Sequence, residues 1–312
     1  MRRMLAFTLL FGCCSWAAQA AQAADAPQCQ KVRISDLGWT DIALTNSTAE
    51  VLLDALGYEA TQTLLGLDVT YMSLKNNEMD VFQGNWRPVQ DEQYRSYFEE
   101  GSVEVLGVNL EGAKFTLAVP KYVSDAGVKS FADLAQHGDQ FGKKIYGIEP
   151  GSNQPLLDMV AANRHGLGGW EIVESSEAAM LAQVRKSVPG KDWIVFLGWA
   201  PHPMNLDHEM TYLAGGDVEY GPNFGGATVR TIARKGFTSE CPNAAKLFAN
   251  LVFDLDYENY GMQMVLGEGR TAEDAAREML KRNPDKLARW LDGVATFDGQ
   301  PALPAVKSAL GL

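Results

Sequence analysis

Four aromatic residues in this chain sit beside turn formers rather than inside apolar runs. The segments read Gly38-Trp39-Thr40-Asp41, Gly84-Asn85-Trp86-Arg87-Pro88, Gly112-Ala113-Lys114-Phe115 and Gly198-Trp199-Ala200-Pro201-His202-Pro203. Strand-like runs at 32–35, 80–83 and 194–197 precede the first, second and fourth. A large ring just past the end of a strand is poorly placed for a core and well placed for a cleft. Several rings meeting in one cleft would offer their π faces to a soft cation with methyl groups, such as a quaternary ammonium. Asp41 brings a carboxylate to the same place, able to accept a ligand hydroxyl. It also reads as an ordinary cap for the helix that follows.

A second polar feature is the loop Glu149-Pro150-Gly151-Ser152-Asn153, between a strand-like run and a helical one. Its backbone N–H groups, with Ser152 or Asn153, can bond a polar ligand end or cap the helix. Trp193 and Trp290 lie on a strand start and a helix and read as packing; Trp170 reads as the edge of a core. The four histidines, His137, His165, His202 and His208, show no metal-ligand spacing. No nucleophile elbow, phosphate loop or zinc motif is present in the sequence, which argues against enzymatic chemistry.

These groups must be positioned by an α/β framework, because short apolar strands alternate with amphipathic helical stretches almost throughout. Helices are predicted over 41–56, 71–78, 153–164 and 175–187, and nearly continuously over 243–294. Strands are predicted at 32–35, 80–83, 114–119, 144–148, 193–197 and 227–234. Pro88 is expected to end its strand and start a helix. Thr271 with Asp274 three residues on resembles a capping box. No low-complexity linker divides the chain. Two lobes would therefore be joined by strand-like crossings near 112–114 and 213–216, the build of a hinged binding protein.

Composition narrows the setting. Arg2 and Arg3 precede an apolar stretch too short to span a bilayer, followed by small-residue sites at Ala18-Gln19-Ala20 and Ala21-Gln22-Ala23, so residues 1–23 read as a signal peptide. Leu10-Phe11-Gly12-Cys13 vaguely resembles a lipid-attachment box, but Phe11 is bulky for one. Cleavage after Ala23 would leave 289 residues (312 less 23) and take the net charge from −12 to −14 by removing two arginines. An acidic chain is a poor partner for nucleic acid or anionic membrane. Of four cysteines, Cys29 and Cys241 lie outside the signal segment. In an exported chain they are expected to pair, two unpaired buried thiols being the alternative.

Taken together, Ser35-Asp36-Leu37-Gly38-Trp39-Thr40-Asp41, Tyr71-Met72-Ser73-Leu74-Lys75-Asn76, Asp80-Val81-Phe82-Gln83-Gly84-Asn85-Trp86, Ile145-Tyr146-Gly147-Ile148-Glu149-Pro150-Gly151 and Val195-Phe196-Leu197-Gly198-Trp199-Ala200-Pro201-His202-Pro203-Met204, with Gly225-Gly226-Ala227-Thr228 and Glu240-Cys241-Pro242, resemble the substrate-binding proteins of ABC importers for choline and glycine betaine, nearest the choline-binding branch. The similarity runs over essentially the whole mature chain. It implies a two-lobed periplasmic binding protein, type II-like, with 24–113 and 214–312 in one lobe and 114–213 in the other. It implies an aromatic box of Trp39, Trp86, Phe115 and Trp199, with Asp41 and Ser152 or Asn153 at the ligand's hydroxyl end. Phe115 stands where the choline branch commonly has tyrosine, and Ser152 where it can have asparagine. Arg87, should it face the cleft, would ease acceptance of a carboxylate. The partners implied are choline and an inner-membrane permease, with no cofactor and no metal, and a monomer is expected. The rival readings are glycine betaine or carnitine as ligand and, from another class, a secreted choline-ester hydrolase.

Overall fold

The computed structural model describes residues 25–312, so the expected signal peptide 1–23 lies outside the described residues. Among the described residues nine strands form one mixed sheet: β1 (Lys31–Asp36), β2 (Glu59–Leu64), β3 (Val81–Arg87), β4 (Val103–Pro120), β5 (Lys144–Tyr146), β6 (Glu171–Val173), β7 (Phe196–Ala200), β8 (Met210–Tyr212) and β9 (Gly226–Arg234). Their order is β2-β1-β3-β9-β4-β7-β5-β6, with β8 also on β4. The architecture is a two-lobed α/β fold in which β4 serves both halves.

β4 is 18 residues long, more than the run at 114–119 predicted. Its first part pairs antiparallel with β9, from Val103↔Arg234 to Lys114↔Gly226. From Lys114↔Ala200 to Ala118↔Phe196 it pairs with β7 instead. The register slips between Leu110 and Ala113, at the point where β4 changes partners. An irregularity there bends the strand and is a place where two halves can turn against each other.

The first half is covered by the helix Thr40–Ala55, whose Leu44, Leu52 and Leu53 are fully buried. The helices Leu255–Leu266 and Ala272–Arg282 pack on it. Thr271 caps the latter, its hydroxyl accepting the Asp274 N–H at 3.0 Å. Cys29 and Cys241 form the expected disulfide, with Cα atoms 5.5 Å apart. Asp25 fixes the same region, taking the Asn243 and Ala244 N–H groups and the Tyr58 hydroxyl. Among the described residues no helix is long and apolar enough to cross a membrane.

Residues 214–225, expected to lead back into the first half, pack on the second. Ala214 bridges Ser130, Arg164 pairs with the buried Glu219 at 2.7 Å, and the Tyr220 ring lies against Phe115 and Phe131. The chain then returns through Gly225 with φ 67°, where a Cβ would lie 2.0 Å from the Phe115 carbonyl oxygen. Only glycine fits that close approach.

Candidate functional site

Two of the ring segments lie differently from the sequence expectation. Trp86 is in β3 and Trp199 in β7, not past their ends. The apolar runs stop at Gln83 and Leu197, but the partner strands go on supplying hydrogen bonds. Trp86 pairs with Val229 on β9, and Trp199 with Phe115 on β4. Pro88 ends β3 as expected, yet a turn follows it and the next helix is Arg95–Glu99. Trp39 does stand past β1, after Gly38, which turns the chain with φ 78° and donates its N–H to Asp36 at 3.0 Å.

These elements bring the four rings to one cavity between the halves, lined also by Asp41, Leu67, Gln93, Ile148 and Ser152. The Trp86 and Phe115 centroids are 6.1 Å apart and those of Phe115 and Trp199 6.3 Å, all tilted. Trp39, Trp86, Phe115 and Trp199 are 7, 5, 8 and 3 % exposed, so the cleft is shut over them. Trp170 and Trp290 are buried in packing, against Phe141 and Phe253 respectively, and Trp193 is half-buried beside Phe141.

Asp41 is the one ionisable side chain among the lining residues of this cavity, and it is 3 % exposed. Burial first, and then the facing Glu177 carboxylate, push its carboxyl up to about 7. The backbone N–H groups of Ile42 and Asp41 and the Trp86 indole pull the other way. That indole N–H makes no hydrogen bond of ordinary geometry. Its influence on Asp41 is that of a nearby dipole. Behind Asp41, burial and the facing Asp41 and Asp254 carboxylates hold the Glu258 carboxyl well above its usual range. A cation entering this cavity meets aromatic faces and one negative group; a carboxylate meets no positive partner there.

The loop after β5 separates the two residues that sequence left as alternatives. Asn153 spends its side chain on the loop itself. Its Oδ1 takes the Ile148 N–H at 2.9 Å and its Nδ2 donates to the Ile148 and Glu149 carbonyls at 2.8 and 3.0 Å. Ser152 lines the cavity, and its buried hydroxyl has no protein partner. Arg87 points away, pairing with Asp91 at 2.7 Å.

Three groups around the site escaped the sequence reading. Glu149 Oε2 accepts the Trp39 indole N–H at 2.8 Å, Glu177 accepts the Thr40 N–H and hydroxyl at 2.9 and 2.5 Å, and His202 Nε2 lies 3.2 Å from Glu177. Glu149 and His202 stood inside motifs already singled out. Glu177 had no local signal.

Comparison with known proteins agrees with this geometry. The model of the OpuAC family, the substrate binding domain of ABC-type glycine betaine transport systems, matches residues 30–282. A solved ABC-transporter choline binding protein in complex with choline is 50 % identical, with TM-score 0.91 over 92 % of this chain and 100 % of that one. An unliganded, semi-closed choline binding protein is 51 % identical, with TM-score 0.84 over 91 % of this chain and 100 % of that one. The glycine betaine/carnitine transport binding protein GbuC of Listeria monocytogenes is 31 % identical over 164 residues, 52 % of this chain and 53 % of that protein.

Proposed function

Because the chain belongs to the OpuAC family of ABC-transporter substrate-binding domains, whose members bind and deliver rather than catalyse, we propose that it captures choline and hands it to a membrane permease. The hydrolase alternative falls with the family. The observation that carries choline is the lining of the cavity: four aromatic rings, one buried carboxylate, and no Lys, Arg or His.

In this reading the trimethylammonium group sits among Trp39, Trp86, Phe115 and Trp199, each wall contributing about 0.5–2 kcal/mol. Asp41 balances the charge and accepts the hydroxyl hydrogen bond, and the unpartnered Ser152 hydroxyl completes that end. Asn153 holds the loop. Glycine betaine is the second choice: at about 4 Å an ionised Asp41 repels a ligand carboxylate by about 4 kcal/mol at an effective dielectric near 20. Arg87, turned to Asp91, does not offset that repulsion. The lobes in this scheme are 25–113 with 226–312, and 114–225, hinged at the irregular stretch of β4 and at Gly225–Gly226. The exported, periplasmic monomer anticipated from the sequence is the form we assign to the working protein.

A calorimetric panel of choline, acetylcholine, glycine betaine and carnitine tests this. Choline is expected to bind tightest; tighter binding of glycine betaine at neutral pH would overturn the assignment.

A further inference from the structure

None of Glu149, Glu177 and His202 lines the cavity, yet together they tie its two sides to each other. The helix Thr40–Ala55 has Trp39 at its N-cap, a residue with no side-chain acceptor for the first N–H groups. Helix ends left so need an acceptor from elsewhere. Here it comes from the other half of the molecule. Glu177 Oε2 takes the Thr40 N–H at 2.9 Å and Glu177 Oε1 takes the Thr40 hydroxyl at 2.5 Å.

The same carboxylate is held from behind. His202 Nδ1 accepts the Met204 N–H at 3.0 Å, which leaves the neutral ring's proton on Nε2, 3.2 Å from Glu177 Oε1. The His202 ring stands edge-on to Trp199 with centroids 4.8 Å apart. The Glu177 N–H donates to Glu149 Oε1 at 3.0 Å, and the other oxygen of Glu149 takes the Trp39 indole N–H at 2.8 Å. A closed circuit therefore runs through Trp39, Thr40, Glu177 and Glu149, with a branch from Glu177 to His202 and Trp199. Thr40, Glu177 and His202 are 8, 2 and 1 % exposed.

We propose that Glu177, steadied by His202 and joined to Glu149, is a positioning residue that latches the two lobes shut by capping the helix that carries Asp41. The latch rests on the binding function proposed above. The contacts from Glu177 to Thr40 and from Glu149 to Trp39 cross the cleft and are broken when it opens, where water replaces them. They therefore bias the open–closed balance without touching ligand, and a bias on that balance appears directly in affinity. Because the capped residue lies between Trp39 and Asp41, the latch also sets where the ring and the carboxylate stand.

The test uses Glu177→Gln and Thr40→Val, singly and together, in the full mature protein. Glutamine keeps the shape but has one accepting oxygen, too few for the donors of both Thr40 and His202. Choline should bind about tenfold more weakly to Glu177→Gln, through faster release, while the melting temperature without ligand stays unchanged. Thr40→Val alters no charge, so a loss there of several-fold separates a latch from the long-range field of Glu177. The double variant should lose less than the product of the single losses, the mark of a direct cross-cleft coupling. Wild-type affinity in both single variants, or fully multiplicative losses, would overturn the latch and leave the ligand assignment standing. Should the wild type bind no quaternary ammonium, the functional reading fails. The latch is then judged on spin-label distances between Val69→Cys and Lys186→Cys without ligand. A shift to longer distances in Glu177→Gln supports it, and identical distributions overturn it.

Discussion

Replacing Asp41 with asparagine should make the empty protein close more readily. The Asp41 carboxyl is raised from 3.8 to about 7 in the closed cavity, first by burial and then by Glu177. At roughly 1.4 kcal/mol per pH unit, closing over an ionised Asp41 that has no cation beside it costs up to about 4 kcal/mol. The carboxylate thus opposes closure until a cation enters and offsets the buried charge. Asp41→Asn removes that opposition and should raise the closed-to-open ratio of the empty protein by up to about a thousandfold. The pH sign follows. The closed form holds the Asp41 proton more tightly than the open one, so acid favours closure. That contribution is complete below about pH 4, where the open-cleft carboxyl is also protonated, and it fades as pH rises through about 7. Small-angle scattering of ligand-free wild type should show a radius of gyration that shrinks between pH 8 and 5, and the asparagine variant should be compact with a flatter profile. Superimposable curves for the two proteins across that range would refute the reasoning.

Other consequences can be measured with the same material. By calorimetry, Trp86→Ala or Trp199→Ala should weaken choline binding by at least about tenfold, each losing a cation–π wall and its desolvated surface; a folded variant with wild-type affinity would assign that ring to packing alone. Asp41→Asn should also narrow the preference for choline over glycine betaine by about tenfold or more, since the repelling charge goes while an acceptor stays. Ser152→Ala should cost choline affinity without moving the ligand-free melting temperature, whereas Asn153→Ala should lower that temperature by freeing buried loop groups; the reverse pattern would exchange their roles. Reducing the Cys29–Cys241 bridge, whose partners are 212 residues apart, removes about 5 kcal/mol in the chain-entropy model and should depress thermal stability far more than affinity.

Much of the site was legible in the sequence because its signals are local. The ring after Gly38 announces a turn within a few residues, and Asp41 announces a helix start. The α/β class follows from the period of apolar residues alone. Strand ends were less legible: β3 and β7 reach Arg87 and Ala200 because β9 and β4 supply partners, which the apolar runs at 80–83 and 194–197 cannot reveal. The packing of the return segment was hidden for a similar reason. Residues 214–225 are held by Ser130, Arg164, Phe115 and Phe131, all far away in the chain.

The pairings across the cleft are the furthest from any local pattern. Trp39 and Glu149 are 110 positions apart, and Thr40 and Glu177 are 137. By itself the sequence determined which rings and which carboxylate are candidates for one cleft and which short elements carry them, because type, turn and periodicity act over a few residues. Which carboxylate caps which helix was decided only when the two halves met, and the bonds of Asn153 to Ile148 and Glu149 in the folded loop left Ser152 free to face the cavity. A hydrogen bond depends on a separation in space that the order of residues does not record.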